Sequence, residues 1–345
     1  MINILFVGAG DYPMYETAFY NACAKIDNIE ADLFTWNGLL KDIKFDFIRR
    51  MENKISCGPH IKKINNILLQ KCEKNVYDIV FLYSCRLITE KTIIKLKQKG
   101  IYIAVYNNDN PFATYYPRYF WRNYIKSIKH ADMTYIYRKN NIEDCIKHGA
   151  KKIELLRAYY IESRNYLIDE KDKISVPDVL FLGHQEADER QEYIKALLDE
   201  KIYVGVPESA WSNFEKGNPY LILLKDTQNL YNTMLNSTKI AIVFLSKINH
   251  DTYTRRCFEI PVTQTLMVAP YTADIADMFQ ESKEVVLYKN KQDFVEKIKY
   301  FLEHDKERKN IANAGYRRVL SDGHEASDRV RQIVDNFEYD KRLNK

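Results

Sequence analysis

Short apolar runs that end in a polar or glycine-bearing turn recur along the whole chain, and they constrain its fold more than any other feature. Ile2–Gly8 (INILFVG), Asp78–Tyr83 (DIVFLY), Ile101–Tyr106, Val179–Leu182, Ile240–Leu245 and Leu266–Ala269 are all of this kind. Continuous apolar runs of this length read as strands buried on both faces, and segments of helical period follow most of them. Parallel strands joined by helices build doubly wound α/β sheets. The two half-chains share this syntax without close sequence repetition, and no solenoid period is present.

Further elements follow from the same reading. Helical patterns are expected over Tyr15–Lys25, Asp42–Asn75 (with a break near Cys57–Pro59), Arg86–Lys97 (stopped by Gly100) and Asp188–Leu198. Others are expected over Leu230–Ser237, Asp274–Phe279, Asp293–Leu302, Arg308–Leu320 and Asp328–Phe337. Additional strands are expected at Glu30–Trp36, Met133–Tyr137, Ile153–Leu156, Ile202–Val206 and Val285–Tyr288. Ser163–Ser175 is charged and lacks an apolar period, which makes it the expected linker. Two domains result, residues 1–170 and 171–327, each of ordinary size for a chain of 345 residues.

Composition excludes several classes. A net charge of +5 is a mild excess that accommodates an anionic ligand but does not demand nucleic acid. KHGAKK (Lys147–Lys152) is one short basic cluster, of the sort that usually lies on a solvated face. The six cysteines are scattered without a C-x-x-C pair, and the seven histidines form neither H-x-x-x-H nor H-E-x-x-H, so neither a disulfide framework nor a metal site is expected. There is no G-x-S-x-G elbow and no Walker A loop. Met1–Val7 runs straight into a glycine turn and reads as a first strand, not a signal peptide, and no apolar run reaches membrane-spanning length. The expectation is a reduced, cytoplasmic protein.

The stretch with most chemistry is Ser246–Pro270, SKINHDTYTRRCFEIPVTQTLMVAP. Asp251 and Glu259 lie eight residues apart with Arg255 and Arg256 between them. If a helix begins near Arg255, Glu259 falls one turn later on the same face, where the pair can also be a simple surface pair. The stretch lies between two buried-strand runs, and loops at the carboxyl ends of parallel strands are where open α/β sheets bind ligands. Two acids and two arginines there suit a sugar nucleotide: carboxylates for sugar hydroxyls, guanidiniums for diphosphate oxygens, helped by the helix N-terminus.

TYTRRCFEIP with its following strand, then MFQESKEVVLY, KIKYFLEHDKERKNIANAGYRRVL and DRVRQIV, resembles the C-terminal half of the CgeB-like (spore maturation protein) glycosyltransferases. These are related to the retaining glycosyltransferase family 4 and have the GT-B architecture. The resemblance covers about residues 237–334 and extends more weakly through FLGHQEADER (Phe181–Arg190). It implies two Rossmann-like domains facing a cleft, with a last segment, 328–345, that crosses back to the first domain. The E-x7-E donor signature of that family reads D-x7-E here, so the resemblance gives Glu259 to the nucleotide ribose and Asp251 to the transferred sugar. Arg255 or Arg256 would stabilise the leaving diphosphate. Gly183 would lie under the donor phosphates, with Arg190 opening the next helix; a charge pair of Arg190 with Glu186 or Glu189 is the alternative. His184 and His250 follow the two donor loops and are candidates for phosphate, or for a structural role. Where the family carries glycine after the FEIP segment, this chain has Thr263-Gln264-Thr265, a departure that bears on donor identity and catalysis.

In the first half, Gly8, Gly10 and Asp11 form a strand-to-helix turn that lacks the third glycine of a dinucleotide fingerprint. The resemblance places this loop near the acceptor. Asn107-Asn108-Asp109-Asn110-Pro111 is a turn by composition, and Asp109 is also a candidate to contact acceptor or sugar, or to act as a base. The implied activity is hexosyl transfer from a UDP-, GDP- or dTDP-sugar to a glycan, lipid-linked or protein acceptor, with retention, for glycan or surface polysaccharide synthesis. Neither cofactor nor metal is expected, and lipid-linked acceptors leave peripheral membrane contact open. The alternatives are another GT-B enzyme of the 2-epimerase type and a catalytically silent sugar-nucleotide-binding protein.

Overall fold

The computed structural model describes residues 1–41, 46–117 and 119–343. The chain divides into two compact units, Met1–Ala158 with Ala326–Lys345, and Tyr159–Glu325. The first division thus falls before the expected linker at Ser163–Ser175, and the return falls at Ala326.

The first unit holds strands β1 (Ile2–Gly8), β2 (Ile29–Thr35), β3 (Ile79–Tyr83), β4 (Tyr102–Asn107), β5 (Met133–Ile136) and β6 (Ile153–Leu155). They form one parallel sheet in the order β2-β1-β3-β4-β5-β6. Ile4–Val7 of β1 and all of β3 are buried, as their continuous apolar composition requires, and each such side chain contributes about 1.5–3 kcal/mol of transfer free energy. The second unit holds β7 (Val179–Leu180), β8 (Val204–Pro207), β9 (Leu221–Leu224), β10 (Ile240–Ile242), β11 (Leu266–Pro270) and β12 (Val286–Tyr288). Its sheet is also parallel, in the order β12-β11-β10-β7-β8-β9. Ile240 is in register with both Val179 and Leu266.

In each sheet the strand order reverses once. The reversal lies between β1 and β3 in the first unit and between β7 and β10 in the second. Crossovers leave to opposite sides at such a point, so the loops beyond the strand ends part and leave a crevice. The expected α/β class is the one found. β9 was not anticipated, because half-exposed Leu221 and Ile222 end a polar turn region instead of forming an isolated apolar run. The expected helix from Arg86 begins only at Glu90. The segment before it is a turn in which Ser84 takes φ 46°. Residues 42–45 of the expected helical stretch lie outside the described residues; its remainder is the two helices Asp46–Ile55 and Pro59–Lys74.

The last helix, Ala326–Leu343, belongs to the first unit because its buried face is stitched to the strand ends there. Arg329 donates to the carbonyls of Arg157 (2.9 Å) and Ala158 (3.2 Å), and Gln332 donates to that of Leu155 (2.9 Å). Asp340, only 4% exposed, accepts from Tyr102 Oη at 2.7 Å and from Lys152 Nζ at 2.5 Å. Replacing it, Asp340→Ala, would leave both donors without their acceptor and cost about 2 kcal/mol, since hydrogen bonds to charged groups are worth about 1.5–3 kcal/mol. Urea unfolding followed by circular dichroism measures this; an unchanged midpoint would mean the helix is held by its apolar stripe alone.

Candidate functional site

The crevice of the second unit is bounded by the segments that follow β7 and β10, and two arginines bind those segments to each other. Arg190, 5% exposed, opens the helix Arg190–Asp199. Its Nε donates to both Asp188 carboxylate oxygens (2.8 and 3.0 Å), Nη1 donates to the His184 carbonyl (2.7 Å), and Nη2 reaches the Leu245 carbonyl beyond β10 (3.4 Å). Glu186 completes the set at 3.3 Å. Every nitrogen of this guanidinium is engaged with the protein, as in the charge-pair alternative for this residue. Arg256 crosses in the other direction. Its Nε and Nη2 donate to the Leu182 carbonyl beyond β7 at 3.2 and 2.8 Å, while Nη1 makes no hydrogen bond among the described residues.

Gly183 sits between these anchors. A Cβ there would come within 2.4 Å of the Phe181 ring and 3.2 Å of Arg256 Nη2. Its carbonyl accepts from the indole of fully buried Trp211 at 2.8 Å. The glycine is therefore required by packing inside the loop. Trp211 is a core residue that locks this loop.

The helix expected from Arg255 is a single α-turn, Arg256–Glu259, continued by one 3₁₀ turn, Pro261–Thr263. So short an element gathers little of a helix dipole, so the expected help from a helix N-terminus is small. Gln264 ends it at φ 54°, ψ 30°. The position where the resemblance called for glycine is thus a left-handed backbone position, and an exposed glutamine occupies it.

Glu259 is half-buried and accepts from Tyr231 Oη at 2.9 Å through Oε2; Oε1 has no partner among the described residues. Burial, with the Glu259 carboxylate second, pushes the Tyr231 hydroxyl well above its ordinary range, and Arg256 and Arg255 act in the opposite direction. The hydroxyl therefore stays a donor, and Glu259, Arg255 and Arg256 surround it. Arg255 also lies over the Tyr159 ring, 4.5 Å from its centre. Cys257 in the same turn is buried, which pushes its thiol up to about 12 and makes it inert.

Asp251 precedes that group in the chain. It lines a cavity of about 400 Å³ with Asp188, Tyr193, Phe244, His250 and Tyr288. Its backbone N–H closes onto the Ser246 carbonyl (3.0 Å), and exposed His250 before it takes φ 55°, a strained value for a residue with a Cβ. Thr252 Oγ1 donates to Asp274 (2.7 Å) and Thr272 Oγ1 donates to the Thr252 carbonyl (2.6 Å), tying the turn to the end of β11. His184 is exposed, and its carbonyl is engaged by Arg190.

The remaining candidates lie in the first unit. A Cβ on Gly8 would fall 2.2 Å from the Glu16 carboxyl carbon, and one on Gly10 (φ 78°) would fall 2.9 Å from Thr35. The space expected for a ligand is occupied by the protein's own side chains. Glu16, 1% exposed, accepts the Gly10 N–H, and burial raises its pKa. Asp11 is exposed and accepts from Asn37. Asp109 is half-buried in an Asx-type turn, its N–H donating to Asn107 Oδ1 (3.1 Å). Burial raises the Asp109 pKa, with nearby Arg138 opposing. Among the described residues, no three His, Cys, Asp or Glu side chains gather as metal ligands would.

Residues 190–335 match a family model described as glycosyl transferase-like. No curated protein matches the chain in sequence. Among solved structures, the chain is similar to sucrose-phosphate synthase from Thermosynechococcus elongatus (TM-score 0.72, 9% identity, 99% of this chain and 100% of that one). It is similar to Anabaena HepE in complex with UDP-glucose (TM-score 0.67, 12% identity, 98% and 100%). It is also similar to a candidate UDP-N-acetylglucosamine 2-epimerase from Listeria monocytogenes (TM-score 0.59, 12% identity, 96% and 95%). These likenesses define the fold class: two Rossmann-like domains of the GT-B kind.

Two substitutions test the geometry. Arg190→Ala should destabilise the protein by about 3 kcal/mol, because Asp188 would be left buried without its partner. A denaturant midpoint shift measures this, and an unchanged midpoint would return Arg190 to a ligand-binding role. Glu16→Gln tests the buried acid. A carboxyl whose folded pKa is raised contributes stability that is full below its unfolded pKa and lost as pH rises through the folded value. Relative to the native chain, the variant should therefore gain stability as pH rises above the ordinary carboxylate range, from about pH 4 upwards. Parallel pH-dependence curves would show that Glu16 does not titrate differently on folding.

Proposed function

We propose that the protein is a glycosyltransferase whose second unit binds a nucleoside-diphosphate sugar at the β7/β10 crevice. The observation that carries the reading is the group Tyr231–Glu259–Arg256 at this strand-order reversal. A half-buried phenol fixes one carboxylate oxygen and leaves the other for a hydroxyl, beside a guanidinium with one nitrogen uncommitted among the described residues. The glycosyl transferase-like match over residues 190–335 supports it, and so do fold relatives solved with UDP-glucose.

On this reading Glu259 accepts from the ribose hydroxyls, and Arg256 with Arg255 holds the diphosphate. In transfer, the bond from the anomeric carbon to the diphosphate oxygen breaks and an acceptor oxygen takes its place. Negative charge then grows on the leaving diphosphate, where the arginines stabilise it. Asp251, on the turn at the cavity, is assigned to the sugar, and a cavity of about 400 Å³ is in the range of small-ligand sites. The acceptor is assigned to the first unit, where Asp109 has a raised pKa that suits a proton acceptor. The CgeB-like resemblance adds retention of configuration and a role in glycan synthesis. Likeness to the candidate 2-epimerase favours a second reading, conversion of the sugar nucleotide without an acceptor.

The test is a screen of UDP-, GDP- and dTDP-sugars by thermal shift and by release of free nucleotide. A donor at about one hundred times its Kd stabilises by about 2.7 kcal/mol, or roughly 5–10 °C for a domain of this size. Glu259→Ala should weaken nucleotide binding about tenfold or more, the loss of a charged hydrogen bond. Asp251→Ala should keep nucleotide affinity within about threefold while turnover falls at least about a hundredfold. Sugar conversion without nucleotide release would select the epimerase reading. No thermal response to any sugar nucleotide would overturn both.

A further inference from the structure

A helix at the surface of a globular unit normally turns its apolar stripe to the core and its charges to water. The helix Asp46–Ile55 in the first unit departs from this, with apolar residues exposed and a glutamate buried. Polar bonds fasten its inward side. Glu52 is 3% exposed, and its carboxylate accepts the His60 backbone N–H at 3.0 Å and contacts His60 Nδ1 at 3.0 Å. Arg86 donates to the carbonyl and side chain of Asn53, and Arg122 donates to the Ile55 carbonyl at 3.1 Å.

The outward side carries Phe47, Met51 and Ile55, which are 76%, 45% and 39% exposed. A spacing of four residues aligns them in one stripe, about 12 Å long at 1.5 Å per residue. The exposed charged side chains described between positions 47 and 63 are Arg50, Lys54, Lys62 and Lys63, all of them basic. Arg49, Arg50 and Asn53 also line a cavity of about 250 Å³. An apolar stripe flanked by basic residues and locked in place by polar anchors behind it has the chemistry of an interfacial membrane helix.

We propose that this helix docks the first unit on an anionic lipid surface, with Phe47, Met51 and Ile55 in the acyl boundary and Arg50 and Lys54 on phosphate headgroups. Charge complementarity selects this occupant. Basic residues such as Arg50 and Lys54 gain from the negative potential of such a surface.

The experiment is co-sedimentation of the full chain with vesicles of phosphatidylcholine alone or with about one third phosphatidylglycerol. The native chain should partition to the anionic vesicles at least about tenfold more strongly than to the neutral ones, and less so at high salt. Phe47→Ser with Met51→Ser, and separately Arg50→Glu with Lys54→Glu, should each reduce that partitioning about tenfold or more. These side chains are exposed, so unchanged circular dichroism and melting should accompany the loss. Phe47→Trp, which keeps the apolar stripe, should bind and shift its fluorescence to the blue. Absence of partitioning by the native chain, or partitioning that survives the Phe47/Met51 variant, would overturn the proposal. So would self-association or binding of an acidic protein that depends on this stripe when vesicles are not bound. No sugar nucleotide enters the assay, so its outcome is independent of the proposed activity.

Discussion

The carboxyl edge of the second sheet depends on one buried guanidinium. Reversal of strand order parts the segments after β7 and β10, and a crevice whose walls are loops cannot keep its shape unless something spans it. Arg190 does so with charge-assisted bonds to Asp188 and to carbonyls on both segments. Such a pair is costly to bury and costlier to break, so its value lies in fixing one arrangement of the loops. Arg256 spans the same gap with two of its three nitrogens and keeps the third. That difference separates the arginines: every nitrogen of Arg190 is engaged with the protein, and Arg256 keeps one without a hydrogen bond among the described residues.

The glycines follow the same logic. A glycine after a parallel strand invites the thought of a ligand approaching the backbone, yet at Gly8 the approaching group is Glu16, and at Gly183 it is the Phe181 ring. Both turns are tight because the chain packs on itself there. Gln264 is the converse case. Its left-handed backbone is the conformation a glycine adopts freely, and the glutamine holds it at the end of the 3₁₀ turn. The departure from glycine thus falls at an exposed position of left-handed backbone.

Much of the fold was legible because buried parallel strands are written in the sequence as uninterrupted apolar runs. β1, β3 and β10 begin within a residue of where those runs do. β9 was missed because its side chains are half-exposed, which removes the signal that identified the others. Ser163–Ser175 lacks an apolar period, but the structural division lies at Ala158, where the chain runs on from β6 without a change of composition. At the site, Asp251 and Glu259 could be singled out by residue type and spacing. Tyr231 could not, since nothing in a run such as LYNTML distinguishes a phenol that donates to a carboxylate 28 residues on. The commitment of Arg190 was equally hidden. Glu186 and Glu189 were visible neighbours, but the carbonyls of His184 and Leu245 have no signature in sequence.

Placement of the two acids also bears on how the proposed activity would be divided between them. Glu259 ends a turn that includes buried Cys257 and Phe258 and leads into buried Ile260, and its carboxylate accepts from a half-buried phenol. A group held so rigidly suits recognition, because its orientation is set before any ligand arrives. Asp251 lies on a turn with a left-handed histidine and lines a cavity; its N–H bonds the Ser246 carbonyl, and Thr252 and Thr272 tie the turn to the end of β11. Such a turn can shift by small changes in φ and ψ at His250 while the anchors behind it stay in place. A site that holds the nucleotide on the rigid element and meets the sugar with the adjustable one could keep the first fixed while the second is remade. In this chain the boundary between them is the run Thr252–Arg255, four residues in which the segment passes from turn to core.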